Sequence, residues 1–318
     1  MSLNVIDLFC GCGGMSKGLL DAGFNIIAGI DKWNIAIESY KSNFNHFSIC
    51  DDLTTLTPEK FNELYNKNND KIDFIVGCPP CQSFSMAGKR KIDDPRNSLF
   101  MEFIKYINYF KPKAILMENV IGLLSMKLEN NKKIIDIILD ELNNNYNCIV
   151  IKLNSSDFEV PQNRRRTIII GIRKDLNIYP KSINPVINNK IPVKNILLPK
   201  EEIDKSYYLS DKAIKGIETR KIKAKEKGWG FGAQFLNFDK PAFTIPARYY
   251  KDGSDALIKY NDNEIRRLTI PELKRIQSFP DHYILKGSKK EVIMQIGNAV
   301  ACKFAYHLGC YIKNIINK

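Results

Sequence analysis

Over its first 175 or so residues the chain alternates between two patterns. Apolar runs (LNVIDLF at 3–9, FNIIAGID at 24–31, KIDFIVG at 71–77, AILMENV at 114–120) alternate with stretches whose apolar residues recur at helical spacing, such as SLFMEFIKYINYF and KIIDIILDELNNN. A strand that is apolar along its whole length must be covered on both faces, and helices are the available cover. The rhythm predicts an α/β fold with a doubly wound, parallel sheet. Two later runs, NCIVIKLN and RTIIIGIR, flank SSDFEVPQNRR like two strands around a projecting loop. Beyond about residue 174 the rhythm breaks into a proline- and asparagine-rich stretch. A basic helix is expected at 211–228, with Ser210 or Asp211 as cap and Gly228 as stop. Residues 238–260 read as turn-rich and β-like, and helical patterns return at 271–279 and 291–317.

FCGCGG at 9–14 follows the first run and opens a helix. Gly11, Gly13 and Gly14 allow close backbone approach and present amide N–H groups at a helix N-terminus. A dinucleotide fingerprint wants glycine at 16, where this chain has Ser16. A pyrophosphate is therefore not specifically indicated, and an amino-acid carboxylate suits the same amides. Asp31 is expected to end the second strand, where a carboxylate can accept both ribose hydroxyls. Asp52 is expected to end the third, placed to accept from an adenine amino group. Ribose, adenine and a carboxylate without phosphate describe S-adenosylmethionine. The competing reading is a purely structural tight turn.

GCPPCQSFS at 77–85 sets Cys78 and Cys81 three apart. A tetrahedral zinc site needs four ligands. The other close pair, Cys10 and Cys12, lies in the glycine turn, and His46, His282 and His307 are scattered, so no metal is expected. A redox dithiol belongs at a helix N-terminus early in a small fold, whereas this pair follows the fourth strand. There remains a single thiol, Cys81, presented by the stiff Pro79-Pro80 turn, with Cys78 a small filler. A free thiol is only a few per cent thiolate near neutrality, so it needs positive neighbours. Gln162, Arg164 and Arg166 in PQNRRR, expected in the loop between the two later strands, could supply them; phosphate binding or a solvated edge is the plainer reading of those arginines. Glu118-Asn119 closes AILMENV. After such a run a salt-bridged structural carboxylate is not expected; a partly desolvated carboxyl there could donate a proton.

The formal net charge is +13, which points to a polyanionic partner, nucleic acid first, against a merely lysine-rich surface. No apolar run reaches the ~20 residues of a membrane span, and MSLNVIDLF enters a strand with no basic leader. Eight scattered cysteines do not resemble a disulfide framework. An intracellular, reducing compartment is expected.

Together these residues resemble the C5-cytosine DNA methyltransferase family. F-x-G-x-G-G at 9–14, P-P-C-Q at 79–82, E-N-V at 118–120, Q-x-R-x-R at 162–166, R-R-L-T-x-x-E at 266–272 with Q-x-F-P at 277–280, and G-N-A-V at 297–300 occur in the family's order. The resemblance implies a Rossmann-like S-adenosylmethionine-dependent catalytic domain, residues 1–178 plus 288–318. It also implies a smaller target-recognition domain, residues 179–287, with DNA in the cleft. Carried over, the Cys81 thiolate attacks C6 of a flipped-out cytosine. Glu118 bonds N3 and the exocyclic amine, Arg166 sits near O2, and Arg164 near the thiolate and a phosphate. Asn119 and Gln162 support the site. Phe9, Gly11, Gly13, Gly14, Asp31, Asp52, Pro80 and Asn298 become cofactor-pocket positions. The product is S-adenosylhomocysteine, and no metal is needed. Residues 82–99 resemble the family's mobile catalytic loop. Gly88 permits a hinge there, Gln82 and Ser85 lie near the base, and Lys89, Arg90, Lys91 and Arg96 meet phosphates. Thr244 resembles a threonine of the variable segment. Arg248, Tyr249 and Tyr250 are either DNA contacts or local core, and the Lys-rich 212–227 is either a phosphate-contacting helix or a solvated face.

Two positions depart from the family pattern: Cys78, usually small or apolar, and Lys32, often an aromatic that stacks on adenine, with Trp33 next door. The implied partners are double-stranded DNA and, where one exists, a cognate restriction endonuclease acting on the same site. A monomer is expected, cytoplasmic and at the nucleoid in a bacterium, or nuclear in a eukaryote. One rival is the tRNA-modifying branch, which typically carries Cys-Phe-Thr where this chain has Ala242-Phe243-Thr244, so DNA is favoured. The other is a catalytically silent DNA-binding homologue, against which the intact Cys81, Glu118 and Arg166 argue.

Overall fold

The computed structural model describes residues 2–66, 70–80, 99–127, 131–226, 233–252 and 256–317. Seven strands form one sheet: β1 (Asn4–Leu8), β2 (Asn25–Asp31), β3 (Phe47–Cys50), β4 (Phe74–Gly77), β5 (Ala114–Val120), β6 (Tyr146–Asn154) and β7 (Arg165–Arg173), in the order β3-β2-β1-β4-β5-β7-β6. The first five are parallel, as the apolar runs predict. β7 instead runs antiparallel to both β5 and β6. The segment joining β6 to β7 is too short for a parallel crossover, so these two strands pair as a hairpin.

Helices α1 (Gly14–Asp21), α2 (Asn34–Lys41), α3 (Pro58–Tyr65), α4 (Leu99–Phe110) and α5 (Ile134–Leu142) connect the strands. Successive strand residues point to opposite faces. Val5, Val76, Leu116 and Ile168 meet Leu19 of α1 and Phe304 and Leu308 of the C-terminal helix. Ile6, Leu8, Ile75 and Met117 meet Phe61 of α3, Phe103 of α4 and Ile138 of α5. Each such buried side chain contributes about 1.5–3 kcal/mol, so both faces are closed by the same alternation that makes the runs continuous.

The remaining elements are α6 (Asp211–Glu226), α7 (Tyr249–Asp252), the hairpin of β8 (Leu257–Asn261) and β9 (Glu264–Arg267), α8 (Ile270–Ile276), α9 (Lys289–Asn298) and α10 (Cys302–Ile316). Ser210 supplies the cap of α6, its Oγ accepting from the Ala213 N–H at 3.4 Å; Gly228 lies outside the described residues. Val193, Ile245, Tyr249, Ile258, Leu273 and Ile276 form a separate apolar cluster that also takes in Val292 and Ile296 of α9. Residues 299–301 break the C-terminal helical pattern: Ala299 and Ala301 are extended, so α10 turns back and lies against α1 on the sheet. Tyr249 belongs to this core, donating to the Ala256 carbonyl and accepting from the Leu268 N–H, both at 2.9 Å. Tyr250 packs against the same cluster.

Candidate active site

At the carboxyl end of β1 the chain reverses through three left-handed residues, Phe9, Gly11 and Gly13. The Gly11 and Trp33 N–H groups donate to the two oxygens of Asp31, each at 2.9 Å. The three glycines of the turn do different work. A Cβ on Gly13 would lie 2.4 Å from the Phe44 ring, and one on Gly14 would lie 2.1 Å from the Val300 carbonyl oxygen. Those two are demanded by packing. Among the described residues a Cβ on Gly11 meets nothing within 4 Å.

This edge fits an adenosyl amino acid. Asp31 is partly exposed and each of its oxygens keeps a lone pair for a hydroxyl donor. Burial raises its pKa, against the Trp33 and Gly11 amides, which lower it. β3 ends at Cys50, so Asp52 lies two residues beyond the strand rather than at its end. Its Oδ1 accepts from the Thr54 N–H and hydroxyl at 3.0 and 2.9 Å, and Lys32 Nζ stands 3.2 Å from Oδ2. Partial burial pulls the Asp52 pKa up, but these partners outweigh it and hold the carboxylate below its usual range. Pro80 follows β4, and exposed Asn298 ends α9, two residues before the Val300 carbonyl that abuts Gly14.

The second half of the site comes from β5 and β7. Val120 pairs with Arg166 and Glu118 with Ile168, so Glu118 and Arg166 are diagonal neighbours on one face. Arg166 Nε lies 2.8 Å from Glu118 Oε1. Glu118 is thus salt-bridged, contrary to the expectation from its apolar run, because the antiparallel β7 brings an arginine across from it. Arg166 is likewise a strand residue, not a loop residue, and Arg164 immediately precedes β7. The Asn119 amide donates to the Pro79 carbonyl at 3.1 Å, tying the end of β5 to the turn that leads into Cys81. Cys78 packs against the first-face core. Burial pushes its thiol well up, Glu118 and Asp7 adding to the effect and Arg164 and Arg166 opposing it, so it is a neutral filler.

Gln162 and Arg164 look inward. Gln162 is fully buried; its Oε1 accepts from the Ile245 N–H at 2.9 Å and its amide donates to Gln277 Oε1 at 3.0 Å. Arg164 donates to the Gly297 carbonyl at 3.0 Å and the Ile245 carbonyl at 3.5 Å. Burial, with Arg166 adding to it, brings its guanidinium down to about 9. The Thr244 hydroxyl donates to the Asn163 carbonyl at 2.7 Å. These contacts stitch the β6–β7 connection to the cluster around α8 and α9. Arg248 is exposed. Cys81, Gln82, Ser85, Gly88, Lys89, Arg90, Lys91 and Arg96 lie outside the described residues.

Residues with little sequence signal also contribute. Asp7 is buried among the apolar residues of β1 and accepts from Ser16, which fills the place of the missing third glycine. Gln277 bridges Gln162 to the Ile296 carbonyl. Among the described residues no group of His, Cys, Asp and Glu is arranged to hold a metal ion, and no helix is long and apolar enough to cross a membrane.

The profile of the C-5 cytosine-specific DNA methylase family matches residues 3–314. The Type II methyltransferase M1.ScrFI of Lactococcus lactis subsp. cremoris is 36% identical over 306 residues, covering 93% of this chain and 74% of its own. M.DdeI of Desulfomicrobium norvegicum is 43% identical over 185 residues, 58% of this chain but only 44% of that longer protein. Among solved structures, an E. coli prophage protein assigned as a DNA modification methyltransferase superposes with a TM-score of 0.79 at 25% identity over the whole of both chains. Spodoptera frugiperda DNMT2, solved as a mutant, shares the fold over the whole of both chains, with a TM-score of 0.74 at 22% identity. The chain belongs to the C-5 cytosine-specific DNA methylase family.

Proposed function

We propose that this protein transfers a methyl group from S-adenosylmethionine to C5 of a flipped-out cytosine in a specific duplex DNA sequence, through a covalent bond between Cys81 and C6. The observation that carries the reading is the Glu118–Arg166 pair at 2.8 Å, on the strand end whose Asn119 grips Pro79, two residues before Cys81. Bound at the Gly11–Asp31 edge, the donor supplies an electrophilic methyl group. Cys81, as thiolate, adds to C6 of the base. Glu118 bonds N3 and the exocyclic amine, neutralising charge pushed into the ring, and Arg166 takes O2. After C5 is methylated its proton leaves, the C6–S bond breaks, and Cys81 is restored. The base must leave the stack for the thiol to reach it.

Residues 179–287 would form the target-recognition part and 1–178 with 288–318 the catalytic part. Gln82, Ser85, Lys89, Arg90, Arg96, Thr244 and Arg248 would face DNA. The Type II relatives suggest a restriction–modification setting with a cognate endonuclease, in which the protein works as a cytoplasmic monomer.

Folded protein incubated with labelled donor and diverse duplex sequences should yield 5-methylcytosine, and bisulfite mapping should show its context. Cys81→Ser should abolish turnover, and 5-fluorocytosine DNA should trap an adduct on Cys81. Absence of methylation across all sequences would refute the reading. Transfer to tRNA instead of duplex DNA would move it to the tRNA-modifying branch.

A further inference from the structure

A buried carboxyl is joined to the protein surface by an unbroken line of hydrogen bonds. Ser16 Oγ lies 2.6 Å from Asp7 Oδ2 and 2.6 Å from Tyr40 Oη, and Tyr40 Oη lies 2.7 Å from His46 Nε2. Asp7 of β1, Ser16 of α1 and Tyr40 of α2 are buried, and His46, just before β3, is half-buried. The elements that carry them frame the edge where Gly11 is held to Asp31.

Each hydroxyl has one proton to give, so the polarity of the chain is fixed by its ends. With Asp7 ionised, Ser16 donates to Asp7, Tyr40 donates to Ser16, and His46 donates from Nε2 to Tyr40. With Asp7 protonated on Oδ2, every bond runs the other way and the imidazole proton sits on Nδ1. A proton arriving at Nδ1 from water converts the first state into the second. The Nε2 proton passes to Tyr40, the Tyr40 proton to Ser16, and the Ser16 proton to Asp7. One proton enters and one carboxylate is neutralised.

We propose that the Asp7–Ser16–Tyr40–His46 chain is a reversible proton wire whose polarity sets the affinity of the glycine-turn edge for the methyl donor. The wire stands on its own geometry; its coupling to the donor rests on the proposed function.

Several observations support both states. Asp7 Oδ1 is buried and has no hydrogen-bond partner among the described residues, which penalises the ionised form. Burial raises the Asp7 pKa to about 7, with the Ser16 hydroxyl pulling it down and Asp31 pushing it further up. Among the described residues, the other titratable groups facing Asp7 are Cys10, Cys78 and Tyr40, all kept neutral by burial. Burial among Tyr40 and Phe44 lowers His46 to about 4, leaving a neutral imidazole with a single N–H to place on either nitrogen. A cationic group arriving at this edge favours ionised Asp7. Binding then releases a proton, and by linkage affinity rises with pH across the Asp7 titration.

Nitrogen-15 histidine NMR of the full chain tests the wire. His46 should change from the Nδ1–H to the Nε2–H tautomer as pH rises through neutrality, and Asp7→Asn and Ser16→Ala should each abolish the change. A single tautomer throughout, or the same switch in Ser16→Ala, would overturn it. Calorimetry of S-adenosylhomocysteine, which keeps the ammonium, in two buffers of different protonation enthalpy tests the coupling. Proton release should accompany binding, affinity should rise about fivefold from pH 6 to pH 8, and Asp7→Asn should lose both. Binding without proton release overturns the coupling. No binding by folded wild type would overturn the coupling and the donor reading together, whereas the NMR result decides the wire alone.

Discussion

Arg266 and Glu272 meet through two hydrogen bonds of 2.8 Å, both side chains fully buried. Arg266 Nε also donates to Tyr260 Oη at 3.2 Å, and Glu272 also accepts from the Thr269 and Leu198 N–H groups at 2.8 and 3.1 Å. Arg166 Nε and Glu118 Oε1 meet at 2.8 Å, with 12% and 9% of their side chains still exposed. Arg166 Nη1 donates to the Arg165 carbonyl, and among the described residues Glu118 Oε2 has no hydrogen-bond donor. The first pair is closed: its lone pairs and protons are spent within the protein, on β8, β9, the start of α8 and the segment at residue 198. The second is open among the described residues, with a carboxylate oxygen that takes no hydrogen bond there. An ion pair satisfied on every side organises a fold, and one left half-satisfied at a sheet edge can organise a substrate.

The sharpest way to break this contrast is to remove one charge from each pair. Glu118→Gln should lower methyl transfer by about 10²–10⁴-fold while the unfolding midpoint barely moves. A matching loss of stability would erase the distinction. Arg266→Ala strands a buried carboxylate and should cost about 3–5 kcal/mol by denaturant titration. Arg266→Met combined with Glu272→Leu should restore most of that, and failure to recover would show that the closed pair is needed for more than charge balance.

The glycine turn offers a smaller version of the same test. Gly14→Ala forces a Cβ against the Val300 carbonyl and should destabilise by about 1–3 kcal/mol. Gly11→Ala meets no atom, so only its left-handed backbone opposes it, at roughly 1–2 kcal/mol. The expected mark of Gly11→Ala is weaker S-adenosylhomocysteine binding out of proportion to its stability, read by calorimetry beside thermal unfolding.

The last test is a pH slope. His46 titrates near 4 when folded and near 6.5 when unfolded, so on acidification the unfolded chain binds the proton first. Its contribution to stability should fall between about pH 6.5 and 4 and level off below. Denaturant midpoints across that range should show a shallower fall in His46→Gln.

Much of this architecture is legible in consecutive residues. The apolar runs mark β1, β2, β4 and β5, the short run FSIC marks β3, and RTIIIGIR marks most of β7. Ser210 caps α6 from the position its sequence suggests. The glycine turn and Asp31 are found together, as their spacing implies. The errors have one physical source. The apolar run before Glu118 argues against a salt bridge there because its partner Arg166 lies on a strand whose direction no local pattern reveals. The glycines at 11, 13 and 14 look alike in sequence, yet Phe44, Tyr283 and Val300 occupy the space beside two of them. Tyr40 and His46 carry no signal at all, since a hydrogen-bond chain depends on which side chains become neighbours in three dimensions.

Side-chain alternation, helical spacing and the left-handed tolerance of glycine are properties of adjacent residues, so the sequence alone settled the parallel strands β1–β5, their two covered faces and the place of the glycine turn. Register between distant strands set the rest. It decided that Arg166 falls diagonal to Glu118, while packing between segments turned Gln162 and Arg164 inward to residues 245, 277 and 297 and set Ser16 of α1 against Asp7. Those pairings follow from which segments pack together, and packing is a property of the whole chain.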